Sequence, residues 1–218
     1  MERIVLVSDA DTPLGRELVR LLTARGHQVA ALVADARSSE FPGTASRAPL
    51  VVPWSRRSPA GARAAVLSVL NRYGVLEEAV VPGAPPSPPA LPHELASVDI
   101  ERALDLGLKG PMFLVRELLG VFLRRGQGVL SLVCYSERRD DDPGPALDLA
   151  VQEGWQGFVA GVLDAYAGKP VFVNGFKTAG VAREEAAAFI DRSLEEKARR
   201  ISGRWFTFQP RGGLLGRR

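Results

Sequence analysis

Short apolar runs alternate with segments of helical periodicity along nearly the whole chain. The predicted strands cover residues 3–7, 29–33, 50–54, 79–81, 128–133, 170–173 and 204–208. The predicted helices cover residues 13–25, 59–72, 98–123, 146–166 and 184–199. Parallel strands need crossovers of this length, and right-handed crossovers place helices on both faces of one sheet. We therefore predict an α/β fold with a doubly wound, parallel, seven-stranded sheet in a single domain over residues 1–218, with a loop-like tail at 209–218.

The composition excludes several classes of protein. Cys134 is the only cysteine, so no intramolecular disulfide and no zinc cluster can form, which favours a reducing, cytoplasmic compartment. The first apolar run is too short for a signal peptide or a membrane span. The net charge is +3, but the basic residues are scattered among acidic ones, so neither nucleic acid nor membrane is an expected partner. His27 and His93 have no obvious partners in the sequence and are expected at the surface or in loops, and we predict no metal site.

The stretch from the first strand to the first helix contains a tight turn with unusual chemistry. Thr12 is predicted to cap the helix and Pro13 to occupy its first position. In doubly wound folds, ligands bind at the carboxyl ends of strands, and such a turn often holds a phosphate. Asp9 and Asp11 place negative charge there, and Arg16 is the nearest basic residue that offsets it. A capped turn that binds no ligand is the simpler interpretation of the same residues.

Seven short motifs, in order and spacing, are similar to those of the short-chain dehydrogenase/reductase family. They are SDADTPLG (8–15), LEEAVVPGA (76–84), DLGLKGPMFLV (105–115), GVLSLVCYS (128–136), VQEGWQGFV (151–159), VNGFKTAG (173–180) and ISGRWFTF (201–208). The resemblance covers nearly the whole chain and implies a Rossmann-like fold. It also implies an NAD- or NADP-dependent oxidoreductase, unless the residues for that chemistry have been lost.

The cofactor positions that the resemblance implies depart from the family pattern. Of the glycines in the turn, only Gly15 remains, and Arg16 follows it. After the second strand, Asp35 is placed to bind a ribose and Arg37 to bind a 2′-phosphate, although a solvated loop pair is the preferred interpretation. The family's NNAG motif corresponds to Val81-Pro82-Gly83-Ala84, and Gly83 is the cofactor candidate within it. We expect no cofactor, and NAD or NADP if the protein is an oxidoreductase after all.

The resemblance implies four catalytic positions, and all four carry other residues. The asparagine position is Gly107, and the serine position is Tyr135 with Ser136 beside it. The tyrosine and lysine positions are Asp148 and Gln152, one helical turn apart. An aspartate is a poor proton donor near neutral pH, and a glutamine supplies no cation.

These departures predict a protein without the family's usual hydride transfer, acting as a binding or interaction protein. A sensor that binds a nucleotide or another small molecule without chemistry is a second hypothesis. An NAD(P)-dependent oxidoreductase with a rearranged site is the alternative, with Tyr135 and Ser136 acting beside Lys109 or Lys177. Asp148 acting as a base in another reaction is a further possibility.

Two predicted helices, 98–123 and 146–166, are those that pack across a two-fold axis in the family. The second carries Gly154, Gly157 and Gly161, with Trp155 and Phe158 between them. Small residues at this spacing let helices approach closely. We therefore predict a homodimer or homotetramer through these helices, although packing of the same residues on the protein's own sheet also uses small side chains.

Overall fold

The computed structural model describes residues 2–35, 41, 48–83, 90–136 and 144–208. The cofactor candidate Arg37 and the tail at 209–218 lie outside these residues. The described helices include none that is long and apolar enough to cross a membrane.

A seven-stranded parallel sheet forms the centre of the structure, and its strand order is β3-β2-β1-β4-β5-β6-β7. The strands are β1 (Ile4–Val7), β2 (Gln28–Val33), β3 (Leu50–Pro53), β4 (Glu78–Pro82), β5 (Val129–Ser136), β6 (Phe172–Ala179) and β7 (Arg204–Thr207). This order reverses direction between β1 and β4, as in Rossmann-like folds. The predicted fold class is confirmed.

Six α-helices cover the two faces of the sheet in the described residues. They are α1 (Pro13–Ala24), α2 (Pro59–Tyr73), α3 (Ser97–Leu104), α4 (Gly110–Arg125), α5 (Ala146–Ala165) and α6 (Arg183–Ser193). The predicted helix at 98–123 is divided by a π-helical segment, Asp105–Lys109, which contains Gly107. A second π-helical segment, Leu194–Ala198, follows α6.

Two hydrophobic clusters, one on each face, hold the helices to the sheet. Leu6 packs in the cluster that includes α2, α4 and α5, whereas Val5 and Val7 pack in the cluster that includes α1 and α6. Successive strand residues point to opposite faces, which is why one short strand contributes to both clusters. A strand buried on both sides reads as a continuous apolar run, and this explains why β1 was predictable.

The ends of two strands differ from the prediction. β6 was predicted at 170–173 but runs over Phe172–Ala179, and β5 extends to Ser136. The polar residues in β6 interrupt its apolar pattern, so the pattern did not indicate a strand over its full length. Asn174 is fully buried, and its Nδ2 donates to the carbonyl oxygens of Ala198 and Ile201.

A buried ion network lies at the amino ends of the strands. Glu78, at the start of β4, is 1% exposed and pairs with Arg3 and Arg199. Arg199 also pairs with Glu195, whose Oε1 lies 3.4 Å from Nε2 of His27. His27 lies in the loop between α1 and β2, as predicted, but it is buried there and not at the surface. This network stabilises the end of the sheet that is opposite to the carboxyl ends of the strands.

Candidate functional site

The turn after β1 is a capped turn, as its sequence indicates. The hydroxyl of Thr12 accepts a hydrogen bond from the backbone N of Gly15 at 3.2 Å, and it donates to the carbonyl oxygen of Asp9 at 2.6 Å. Pro13 is the first residue of α1. A Cβ atom at Gly15 would lie 2.1 Å from the Asp9 carbonyl oxygen, so only glycine fits there. Gly15 is therefore needed because the turn and the helix approach each other too closely for a side chain at this position.

Asp9 takes a backbone conformation that favours glycine. Its φ is 53°, and it is the only described non-glycine residue with a positive φ. Left-handed backbone is uncommon for side-chain-bearing residues, although aspartate adopts it more readily than most. The position where the family has a glycine thus keeps a glycine-like backbone, with a carboxylate added to it.

Arg56, two residues after Trp54 at the end of β3, supplies the counter-charge for this carboxylate. Nη2 of Arg56 contacts Oδ1 of Asp9, and the two side chains are 8% and 2% exposed. The hydroxyl of Ser8 donates to Oδ2 of Asp9 at 2.9 Å. Burial lowers the pKa of Arg56 to about 10, which leaves the guanidinium charged at neutral pH. The turn therefore encloses a buried ion pair.

The second aspartate of the turn bonds to the neighbouring strand. Oδ2 of Asp11 accepts from the backbone N of Ala34, just after β2, at 3.0 Å. The predicted compensating residue, Arg16, is exposed, and its Nε donates to the backbone oxygen of Asp11 at 3.3 Å. Asp35 is exposed beside this contact. Oδ1 of Asp11 also lies 4.0 Å from Nη2 of Arg56, so Arg56 faces both carboxylates of the turn. Among the described residues, Arg16 contacts only the backbone of Asp11.

Trp155 fills the space at the carboxyl ends of β4 and β5. Its indole is 1% exposed, and Nε1 donates to the carbonyl oxygen of Val133 at 3.1 Å. A Cβ atom at Gly83 would lie 3.1 Å from Cδ1 of this ring, so Gly83 packs directly against it. The ring also stacks on Phe158, with centroids 5.6 Å apart.

The four predicted catalytic positions lie on three elements of the fold. Gly107 is buried in the π-helical segment, which contacts α5. Asp148 lies in the first turn of α5 and is 3% exposed, and Gln152 follows one turn later and is half-buried. Tyr135 and Ser136 end β5. A catalytic role for any of them stays a prediction.

Tyr135 and Lys177 lie on opposite faces of the sheet. Lys177 pairs in register with Cys134, and its ammonium lies 4.5 Å from the centroid of the Trp205 ring. Cys134 and Trp205 pack with the cluster of α2, α4 and α5, whereas Tyr135 packs with the cluster of α1 and α6. This arrangement separates the two side chains, so Lys177 does not stand beside Tyr135 as the alternative hypothesis required.

The other lysine of that hypothesis is also engaged. Lys109 forms an ion pair with Asp105, one turn earlier in the π-helical segment. Cys134 is a half-buried thiol, and desolvation raises its pKa to about 12 despite the nearby charge of Lys177. It is therefore unsuited to act as a nucleophile at neutral pH.

Two residues of this site were missed from the sequence. Arg56 was not considered, and Trp155 was assigned to a subunit interface. The aspartates of the turn are the signal for Arg56, because a carboxylate that becomes buried needs a cation and an arginine near a strand end can provide one. No comparable signal marks Trp155.

Comparison with solved structures identifies the fold. A protein assigned to the short-chain dehydrogenases/reductases, from Burkholderia xenovorans, matches with a TM-score of 0.81 at 18% identity, over 94% of both chains. The 3-ketoacyl-(acyl-carrier-protein) reductase from Brucella melitensis, solved with NADH, matches with a TM-score of 0.77 at 18% identity, over 94% of this chain and 96% of that one. Levodione reductase matches with a TM-score of 0.74 at 12% identity, over 94% and 95%.

Sequence comparison adds nothing to this likeness. No family model matches the chain, and no curated protein matches it significantly. The chain therefore has the fold of the short-chain dehydrogenases/reductases at low sequence identity.

Proposed function

We propose that this protein is a degenerate short-chain dehydrogenase/reductase that has lost the family's hydride transfer and acts as a binding, interaction or ligand-sensing protein. The observation that carries the proposal is the separation of Tyr135 from Lys177, whose ammonium lies on Trp205. Proton exchange with a carbonyl oxygen needs an acid with a tuned pKa and a cation close to it. Neither Asp148 nor Gln152 provides that combination.

The residues of the turn fit a dinucleotide poorly. A pyrophosphate needs free backbone N–H groups and close approach of the backbone at a helix N-terminus. Pro13 has no backbone N–H, and the Asp9 carboxylate pairs with Arg56 inside the turn. At Gly83, the Trp155 ring packs against the strand end. We infer that neither NAD nor NADP is a cofactor.

Self-association through α4 and α5 is part of the same proposal. Gly157 and Gly161 lie on the exposed side of α5, and a Cβ atom at either would meet no other atom within 4 Å. A second helix can approach closely over such positions, which supports a homodimer or homotetramer. Trp155 takes no part, because it is buried in the core of its own chain. Light scattering at micromolar concentration tests this, and a monomer there removes the proposal of an oligomer.

Turnover assays test the loss of hydride transfer. The protein is incubated with NADH or NADPH and a panel of aldehydes, ketones and alcohols, and nicotinamide absorbance is followed. We expect no turnover by wild type and none by Tyr135→Phe. Turnover by wild type that Tyr135→Phe abolishes would establish a rearranged oxidoreductase and overturn the proposal. Asp148→Asn is the matched test of the other candidate acid.

A further inference from the structure

We infer that the corner of the molecule at the amino ends of β6 and β7 is a docking surface for an acidic segment of another protein. This surface, the basic corner, is formed by residues 166–172, which lead to the first residue of β6, and residues 197–204, which lead to the first residue of β7. The inference rests on the proposed function, because it gives a binding protein its surface and the chemistry of its partner.

Hydrogen bonds hold the two segments of the basic corner together. The backbone N of Val173 donates to the hydroxyl of Ser202 at 3.0 Å. Nδ2 of Asn174 donates to the carbonyl oxygen of Ile201 at 2.8 Å. Phe172 lies on the same face of β6 as Asn174, because side chains alternate along a strand. Phe172 and Ile201 are therefore placed at one corner by a fixed backbone.

The basic corner carries positive charge that the protein itself does not neutralise. Its two segments contain no acidic residue. Its exposed basic residues form no ion pair among the described residues; they are Lys169, Lys197, Arg200 and Arg204. Arg199 differs from them, since it pairs with the buried Glu78. Asp164 and Glu196 flank the segments in the sequence, so the corner keeps a net positive charge that attracts acidic groups.

Two apolar side chains lie among these charges and decide the kind of partner. Phe172 is 37% exposed and Ile201 is 40% exposed. A nucleic-acid backbone offers no apolar surface to cover them. More than half of each residue is already covered and the backbone is fixed, so neither side chain can insert deeply into a bilayer. A protein segment with both carboxylates and apolar side chains matches the whole surface.

A second copy of this chain fits the basic corner poorly. In a two-fold contact the same patch is contributed by both copies, so the basic residues of one copy would face those of the other. Like charges in such a contact oppose association. Charge complementarity therefore favours a different, acidic partner.

The experiment measures binding of labelled synthetic peptides to the full chain by fluorescence anisotropy. The probe is a short peptide in which glutamates separate leucines at every third or fourth position. Two companion peptides replace all its leucines with serine or all its glutamates with lysine. We expect wild type to bind the probe at least about tenfold more tightly than either companion, and added salt to weaken this binding.

Substitutions in the basic corner should weaken binding of the probe. The double variant Arg200→Glu/Arg204→Glu should lose at least about tenfold in affinity, because it reverses two of the charges. Ile201→Ser should lose about threefold, because it removes apolar area that the probe would cover. Circular dichroism checks that the variants fold, and Arg200→Gln/Arg204→Gln replaces the charge reversal if that variant does not.

Matched controls lie on α2, whose side chains pack on the opposite face of the sheet from Phe172. Arg63→Glu/Arg72→Glu changes the net charge by the same amount as the test variant, at two exposed arginines. Leu67→Ser alters a leucine that is 45% exposed, close to the exposure of Ile201. Each control should change the affinity by less than about twofold, as is usual for a residue outside a contact.

Several results would overturn the inference. They are equal binding of the probe and its companions, equal weakening by the controls, and tighter binding to duplex DNA or phosphatidylserine vesicles than to the probe. Dissociation of an oligomer by Ile201→Ser in light scattering would assign the corner to contact between copies and would overturn it too. Turnover by wild type contradicts the proposed function whether or not the probe binds, whereas absence of both turnover and probe binding contradicts this inference alone.

Discussion

Replacement of Trp155 tests whether this side chain belongs to the core of its own chain. The indole is 1% exposed, donates to Val133 at 3.1 Å, and packs against Gly83. Trp155→Ala removes the ring and leaves a cavity at the carboxyl ends of β4 and β5. Trp155→Phe keeps most of the ring area but removes the N–H donor. The two substitutions therefore separate burial from hydrogen bonding.

The expected magnitudes follow from these contacts. Truncation of a buried aromatic residue to alanine typically costs about 3–5 kcal/mol. One kcal/mol shifts the Tm of a chain of this size by about 2–4 °C, so Trp155→Ala should lower the Tm by roughly 6–20 °C. For Trp155→Phe, a lost hydrogen bond of about 1 kcal/mol and a small cavity give roughly 1–3 kcal/mol.

Urea unfolding followed by circular dichroism measures both variants at several protein concentrations. Because Trp155 lies in the core of its own chain, each variant should lose the same free energy of unfolding at every protein concentration. Trp155→Ala should lose more than Trp155→Phe. The control is Phe172→Ala, at an exposed apolar residue, which should cost much less. The reasoning is refuted if Trp155→Ala costs under about 1 kcal/mol, or if its main effect is dissociation of an oligomer with little change in the stability of the subunit.

Two further predictions concern buried ionisable groups. Glu78→Gln breaks the pairs with Arg3 and Arg199 at the amino end of the sheet and should destabilise by about 3–5 kcal/mol. The control is Glu17→Gln, which breaks the exposed pair with Arg20 and should cost no more than about 0.5 kcal/mol. Urea unfolding measures the free energy of unfolding of both variants. Because burial raises the pKa of Cys134 to about 12, the native thiol should react with iodoacetamide at pH 8 about a thousandfold more slowly than in urea. Its rate should rise with pH, and mass spectrometry that finds equal native and unfolded rates would contradict the burial.

The fold was predictable because its signals are local. Val5, Leu6 and Val7 form an unbroken apolar run, and Thr12 and Pro13 mark the start of the next helix, so each can be recognised without knowledge of distant contacts. Right-handed crossovers then place helices on both faces of the sheet. The end of β6 was missed for the opposite reason. Its buried Asn174 depends on a partner more than twenty positions away, the carbonyl oxygen of Ala198.

The candidate site was only half predictable, for the same physical reason. Motif register could propose four catalytic positions, because such a proposal depends only on spacing within the chain. It did not reveal that Arg56 enters the turn or that Lys177 faces away from Tyr135. These facts depend on which face of the sheet each side chain occupies once the strands are paired. A shift of one residue along β6 reverses the face, so small errors in strand bounds remove such information.

Calorimetric titration with NADH and with NADPH tests the central claim most directly, since it measures whether the turn still receives a dinucleotide. The expected result is no saturable binding of either up to about 1 mM, which corresponds to a binding free energy weaker than about −4 kcal/mol. Saturable, sub-millimolar binding of either nucleotide by the wild-type protein would contradict the account, because it would mean that the turn with Asp9 and Arg56 still accommodates the pyrophosphate.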